Sequence, residues 1–168
     1  MIELKPENIP NELKYSGWVI AALADVLTPE GKLRKSCKVP FNPKTGYPAD
    51  HSDISTGSDF GSALAALDKI KLQPPPGTTL LGVRTLGRIL RSPFWGKDYD
   101  HCVVEGVIDP EVVEDLERLD TYAEFSWSGT GIHVIGHGEA PERGHRKNDR
   151  EIYGKNRFLV FTGHVVSR

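Results

Sequence analysis

The run Pro74-Pro75-Pro76-Gly77 does more than any other segment to limit how this chain can fold. Proline lacks a backbone N–H and fixes φ, so neither a helix interior nor a central strand can pass through three in succession. The break separates an N-terminal lobe, residues 1–76, from a second lobe, residues 77–168. Twelve prolines and seventeen glycines in all carry the argument further, because turns this frequent suit short strands better than a helical bundle. A chain of 168 residues with 38% hydrophobic content is still long enough to bury a sizeable core.

Local patterns fill in the elements. Trp18-Val19-Ile20 reads as the centre of a buried strand or helix, and residues 32–50 as extended chain with turns around Pro40–Gly46. Asp59 is placed to cap a helix reaching Ile70, with Phe60, Leu64, Leu67 and Ile70 at helical spacing. Beyond the proline run, Thr79–Val83 and Trp95–Val103 read as strands, and Asp109 before Pro110 starts a helix that ends near Leu119. Tyr122–Phe125 and Ile132–Ile135 flank a glycine-containing hairpin loop, and Asp149–Tyr153 with Arg157–Thr162 make a second hairpin through Gly154-Lys155-Asn156. Strand, helix, hairpin, hairpin is the order of an α+β sheet with its helices on one side.

Net charge of −2 and a pI near 6.3 provide no global basic field, which counts against a non-specific binder of polyanions. The charge is segregated, however. Lys32, Arg34, Lys35 and Lys38 form one basic cluster, and Arg143, Arg146, Lys147, Arg150, Lys155 and Arg157, with His145, form another; acids concentrate between Asp98 and Glu124. A basic rim around an acidic centre fits a polyanion held over bound cations, although each cluster alone reads equally well as a solvated loop. The two cysteines, Cys37 and Cys102, lack metal-ligand spacing and fit a reduced, cytoplasmic compartment. No apolar run approaches a membrane span and the N-terminus is no signal peptide, so no membrane partner is expected.

Within Trp95-Gly-Lys-Asp-Tyr-Asp-His101, Asp98 and Asp100 stand at i and i+2. On a strand they share one face about 7 Å apart along the backbone, a spacing suited to hard cations that prefer oxygen ligands. Alone, Asp-x-Asp is more often a solvated turn. Ser128-Gly129-Thr130-Gly131-Ile132-His133 offers a glycine turn whose N–H groups can approach an anion and a histidine leaving it on a strand; the plain alternative is a turn and a locally bonded imidazole. Glu151 in Arg-Glu-Ile-Tyr, and the apolar strand Arg157–Thr162 ending in Gly163-His164, also read as ordinary hairpin features when taken singly.

In this order the pieces resemble the archaeo-eukaryotic primase superfamily, in particular the primase–polymerase domains of phage and plasmid replication proteins. The matching motifs are Gly96-x-Asp98-x-Asp100, Tyr122-x-Glu-x-Ser-x-Ser128-Gly-Thr-Gly-x-His133, Glu151-Ile-Tyr153, and Arg157-Phe-x-x-x-Thr-Gly-His164. Trp18 and Lys38-Val-Pro-Phe-Asn-Pro-Lys-Thr-Gly46 extend the likeness toward the N-terminus. The resemblance implies an α+β primase–polymerase fold, with a mixed or antiparallel sheet in an RRM-like catalytic module (77–168) and a small N-terminal α/β lobe (1–76). It implies a template-directed nucleotidyltransferase acting on single-stranded DNA template and primer with dNTP or NTP substrates. Asp98, Asp100 and Glu151 would hold two divalent ions, Mg²⁺ or Mn²⁺. His133, Ser128, Gly129, Thr130 and Gly131 would bind the triphosphate, with Lys38, Lys155, Arg157 and His164 as further nucleotide-site candidates and Arg146 and Lys147 as template contacts. In many relatives a helicase follows this domain.

The chain departs from the family pattern at Lys97 and Tyr99, which stand where apolar residues usually pack behind the acids, and at Trp127, where proline is common. A buried lysine is costly unless paired or snorkelling, so Lys97 is expected to reach the sheet edge. Arg84, Arg88 and Arg91 make the preceding stretch unusually basic. A catalytically weak or inactive DNA- or nucleotide-binding module of a replication initiator is the alternative function. A nicking nuclease built on His133 and His137 fits poorly, because such sites need two histidines flanking one apolar residue and these are four positions apart.

Overall fold

A computed structural model describes residues 1–138, 146–147 and 150–167, and for Arg146, Lys147 and Arg150 the backbone alone. The apolar run Trp18–Leu27 becomes strand β1, inside a four-stranded sheet with β2 (Leu33–Phe41), β3 (Thr78–Ile89) and β11 (Phe158–Val160) in the order β11-β3-β1-β2. Trp18, Val19, Ile20 and Ala21 are all fully buried, as an interior strand covered on both faces requires. At the edge, β2 exposes Arg34, Lys35 and Lys38, charged residues that discourage a further strand from adding there. β3 and β11, which follow residue 77, thus share a sheet with β1 and β2, which precede it.

The second sheet has five strands in the order β7-β8-β4-β10-β9: Tyr122–Phe125, Ile132–His137, Phe94–Tyr99, Arg150–Tyr153 and Arg146–Lys147. Every strand pairing in the two sheets is antiparallel. With helices α1 (Phe60–Ala66) and α2 (Pro110–Leu119), the architecture is α+β. Val112 and Leu116 of α2 pack on Tyr99, Ala123, Ile132 and Val134 on one face of the second sheet. From its other face Tyr122, Ile135, Phe94 and Tyr153 join the larger core around Trp18, Ile20, Leu86 and Phe161. The caps are those the sequence predicts: Asp59 accepts from Ser62 N at 2.8 Å and Asp109 from Glu111 N at 2.9 Å.

Four expectations about the elements need correction. The helix from Asp59 stops at Ala66, and Leu67–Ile70 completes only a closing turn. β3 runs on past Val83 to Ile89, because its arginines are accommodated: Arg88 is buried, donates from Nε to Ser16 O at 3.1 Å and stacks 4.9 Å over Phe94, with burial lowering its pKa to about 10. The acidic strand ends at Tyr99, and His101 takes φ +53 in the turn that follows. Val103–Val104 (β5) then pairs separately with Val107–Ile108 (β6). Finally, Asp149–Tyr153 and Arg157–Thr162 are no hairpin: β10 pairs with β4 and β9, whereas β11 pairs with β3 in the other sheet. Leu159 belongs to the larger core while Val160 packs with Ala21 and Trp127, so β11 is covered on both sides, which the first sheet provides.

Lys97 does not reach the sheet edge. Its ammonium donates to Asp115 of α2, which also accepts from Tyr99 Oη at 2.6 Å and from Arg118. The polar residues behind the acidic strand are therefore paired to a helix carboxylate instead of snorkelling.

Candidate functional site

One cross-strand row defines the site. Glu124 on β7 opposes His133 on β8, His133 opposes Asp98 on β4, Asp98 opposes Glu151 on β10, and Glu151 opposes Arg146 on β9. Directly opposed residues of an antiparallel ladder project to the same face with Cβ atoms about 4.5–5.5 Å apart. Register alone therefore brings Asp98, His133 and Glu151 side by side, although 53 positions of sequence separate the first from the last.

His133 is fully buried between two carboxylates. Its Nε2 lies 3.6 Å from Asp98 Oδ1 and its Nδ1 lies 3.7 Å from Glu124 Oε1, both too long for hydrogen bonds. Asp98 Oδ1 and His133 Nδ1 are accordingly buried with no hydrogen-bond partner. Burial raises the Asp98 pKa; His133 and Lys38 oppose that shift and Asp100 adds to it. Two facts about the other candidates follow from this. Asp100 sits in the turn beyond β4 and is exposed, yet its charge acts on Asp98. Lys38, exposed on β2 of the other sheet, directs its charge to the same carboxylate.

The glycine turn stands at the Asp100 end of the sheet, since Tyr99 opposes Ile132. Its N–H groups have partners within the loop: Gly129 N donates to Ser126 O at 2.8 Å, Thr130 N to Ser128 Oγ at 3.3 Å, and Gly131 N to Ser126 Oγ at 3.0 Å. The hydroxyls of Ser128 and Thr130 lie 2.9 Å apart. Gly131 also allows a close strand approach, because a Cβ there would lie 2.6 Å from Tyr99 O. Arg157 is exposed with its guanidinium 5.5 Å above the Tyr153 ring, two residues along β10 from Glu151. Lys155 is exposed in the crossover from β10 to β11. His164 turns elsewhere, its Nε2 2.7 Å from Glu3 O, beside a cavity of about 420 Å³ shared with Lys5, Asn8 and Phe125. Arg143, His145 and Asp149 lie outside the described residues, as do the side chains of Arg146, Lys147 and Arg150.

Glu124 was not among the candidate site residues. It is fully buried and accepts from Thr162 N, Gly163 N and Tyr122 Oη, the last at 2.6 Å. Burial, then the Glu124 charge and this hydrogen bond, push the Tyr122 hydroxyl far above its usual range. A sequence clue existed in the alternation Tyr122-x-Glu124, which puts the carboxyl on the face of His133.

The donor set suits a hard divalent cation. Asp98 presents a buried, unpartnered oxygen, and Asp100 and Glu151 supply further carboxylate oxygens from adjoining positions. Among the described residues, no three His, Cys, Asp or Glu side chains already stand in a metal-holding group. Among the same residues, no helix is long and apolar enough to cross a membrane.

No family model matches the chain. Over 162 residues it is 28% identical to the DNA primase-polymerase of Nitratiruptor phage NrS-1, an alignment covering 90% of this chain and 20% of that protein. The chain thus spans about one fifth of the length of that relative, and the similarity supports a relationship to DNA primase-polymerases.

Proposed function

We propose that this chain is the nucleotidyl-transfer core of a DNA primase-polymerase with the archaeo-eukaryotic primase fold, belonging to a larger phage or plasmid replication protein. One observation carries the reading: Asp98, His133 and Glu151 occupy one row on one sheet face, with the Lys38 charge acting on Asp98 from the other sheet. Residues 77–168 would form the RRM-like catalytic lobe and residues 1–76 the smaller lobe, with a helicase as a partner in the larger protein.

Asp98, Asp100 and Glu151 would hold Mg²⁺ or Mn²⁺, two ions in the complete site, which when bound neutralise phosphate oxygens and acidify the attacking hydroxyl. The reaction joins a primer 3′-oxygen to the α-phosphorus of a dNTP or NTP as the bond to pyrophosphate breaks. The contribution of the chain itself is positional and electrostatic. His133 Nε2 and the Lys38 ammonium offer cationic or donor contacts to phosphate oxygens that would otherwise be repelled by the acids. The Ser128 and Thr130 hydroxyls stand in the turn at the Asp100 end of the sheet, and their internal bond must open to admit a phosphate oxygen. Arg157 and Lys155, with Arg146 and Lys147 as further candidates on β9, would supply the positive charge that a single-stranded template backbone needs.

The test combines a primed single-stranded template, nucleotides and Mn²⁺ or Mg²⁺ with the wild-type chain, Asp98→Ala and His133→Ala. Elongation by wild type, none by Asp98→Ala, and weakened nucleotide affinity in His133→Ala are expected; wild-type rates in Asp98→Ala would sink the reading. A second reading, a DNA- or nucleotide-binding initiator module without polymerase activity, is favoured by the internally bonded glycine turn. Template retention without elongation in the same assay would select it.

A further inference from the structure

We infer that Glu124 is the positioning residue of His133: it fixes the plane of the imidazole ring, with Nδ1 turned away from the cleft and Nε2 toward Asp98. The role rests on the primase-polymerase reading only for its kinetic consequence. Glu124 is fully buried, and three donors are turned on it. Two of those are successive backbone N–H groups, Thr162 N at 3.0 Å from Oε1 and Gly163 N at 2.7 Å from Oε2. Successive N–H groups converging in this way form a nest for an anionic oxygen.

Gly163 makes the nest possible. Its φ is +67, and a Cβ there would lie 2.0 Å from Lys5 O. The Thr162-Gly163 pair therefore serves Glu124 through its backbone, while the His164 ring is held by the N-terminal segment. With Oε2 occupied by Tyr122 and Gly163, the remaining direction of Oε1 is toward His133 Nδ1, 3.7 Å away and otherwise unpartnered. A slight ring rotation on substrate binding closes that gap, since site hydrogen bonds are often long before a ligand is present. Nε2 then keeps its aim at Asp98, 3.6 Å away on the opposite side.

Glu124→Gln tests the role because it preserves shape and reverses one donor. The three existing donors would claim the amide oxygen, leaving the NH₂ group facing Nδ1, which must then accept. Nucleotide affinity should fall roughly 10–100-fold, the usual effect of losing an orienting partner of a site histidine. In a His133→Ala background the same substitution should cost almost nothing further, because coupled residues are non-additive. A merely structural Glu124 would weaken binding equally in both backgrounds, and that result overturns the inference. Should Glu124→Gln fail to fold, Glu124→Asp takes its place in the same cycle, and equal losses of nucleotide affinity in both backgrounds refute the assignment. A wild-type chain that elongates no primer removes the primase-polymerase reading but leaves the nucleotide-binding cycle to settle Glu124.

Discussion

Replacing Asp115 with alanine should destabilise this protein severely although Asp115 lies outside the candidate site. Its carboxylate is the shared acceptor for Lys97, Tyr99 and Arg118, and it ties α2 to the rear of the acidic strand. The Lys97 and Asp115 side chains are 13% and 15% exposed, whereas Arg118 is 70% exposed, so the Lys97 pair dominates and the Arg118 contact adds little. Truncating one partner strands a buried ammonium, a loss of about 3–5 kcal/mol. For a chain of this size that lowers Tm by roughly 6–20 °C. Burial pushes the Asp115 carboxyl upward, but the three donors outweigh it and hold its pKa well below the usual range. A depressed folded-state pKa contributes stability above the unfolded value, about 3.9, and loses it as pH falls below that value. Thermal melts by circular dichroism at pH 7 and down to pH 2 should thus show the gap between wild type and Asp115→Ala narrowing below about pH 4. Lys97→Met combined with Asp115→Leu should recover most of the loss, because an apolar pair replaces a buried ionic one with little penalty. A gap under about 1 kcal/mol at pH 7, or one indifferent to acid, would refute the reasoning.

Asp98→Asn should abolish elongation yet raise Tm at pH 7, because burial raises the Asp98 pKa and the ionised form disfavours folding above it; the gain should vanish below about pH 4, where the unfolded carboxyl is protonated as well. Mn²⁺ at 100 times its Kd should stabilise the wild-type chain by about 2.7 kcal/mol in a thermal-shift assay, and Asp98→Ala with Asp100→Ala together should remove the effect. Gly131→Ala, whose new methyl would meet Tyr99 O at 2.6 Å, should cost about 1–3 kcal/mol in chemical denaturation by prying β8 from the end of β4.

What the chain revealed beforehand followed from local signals. Asp59 and Asp109 announced their helices because an N-cap needs only the next three residues. The α+β class followed from the alternation of breaks and short apolar runs. Strand partners were harder, because pairing is decided by burial at a distance: Phe158–Val160 reads as the return arm of a hairpin until Leu159 and Val160 are seen to need cover on both faces. Arg88 hid the second half of β3, since an isolated arginine signals solvent unless a carbonyl and a ring stand ready to receive it. In the candidate site, the motif residues of the sheet row were legible one by one. The contribution of Glu124 was not, because its donors come from Thr162 and Gly163, nearly forty positions downstream.

Because Glu124, His133, Asp98 and Glu151 stand on four neighbouring strands, the pitch of the sheet acts as their ruler. Three steps of about 4.8 Å span roughly 14 Å, and no loop rearrangement can lengthen or shorten that scale. A single-residue insertion within β4 ahead of Asp98 would turn that strand over while its neighbours kept their facing, sending the acid toward α2 and Lys97 into the cleft. Adjustment to different substrates is therefore left to groups off the ruler, such as the Lys38 ammonium and the hydroxyls of Ser128 and Thr130, and engineering of selectivity belongs there.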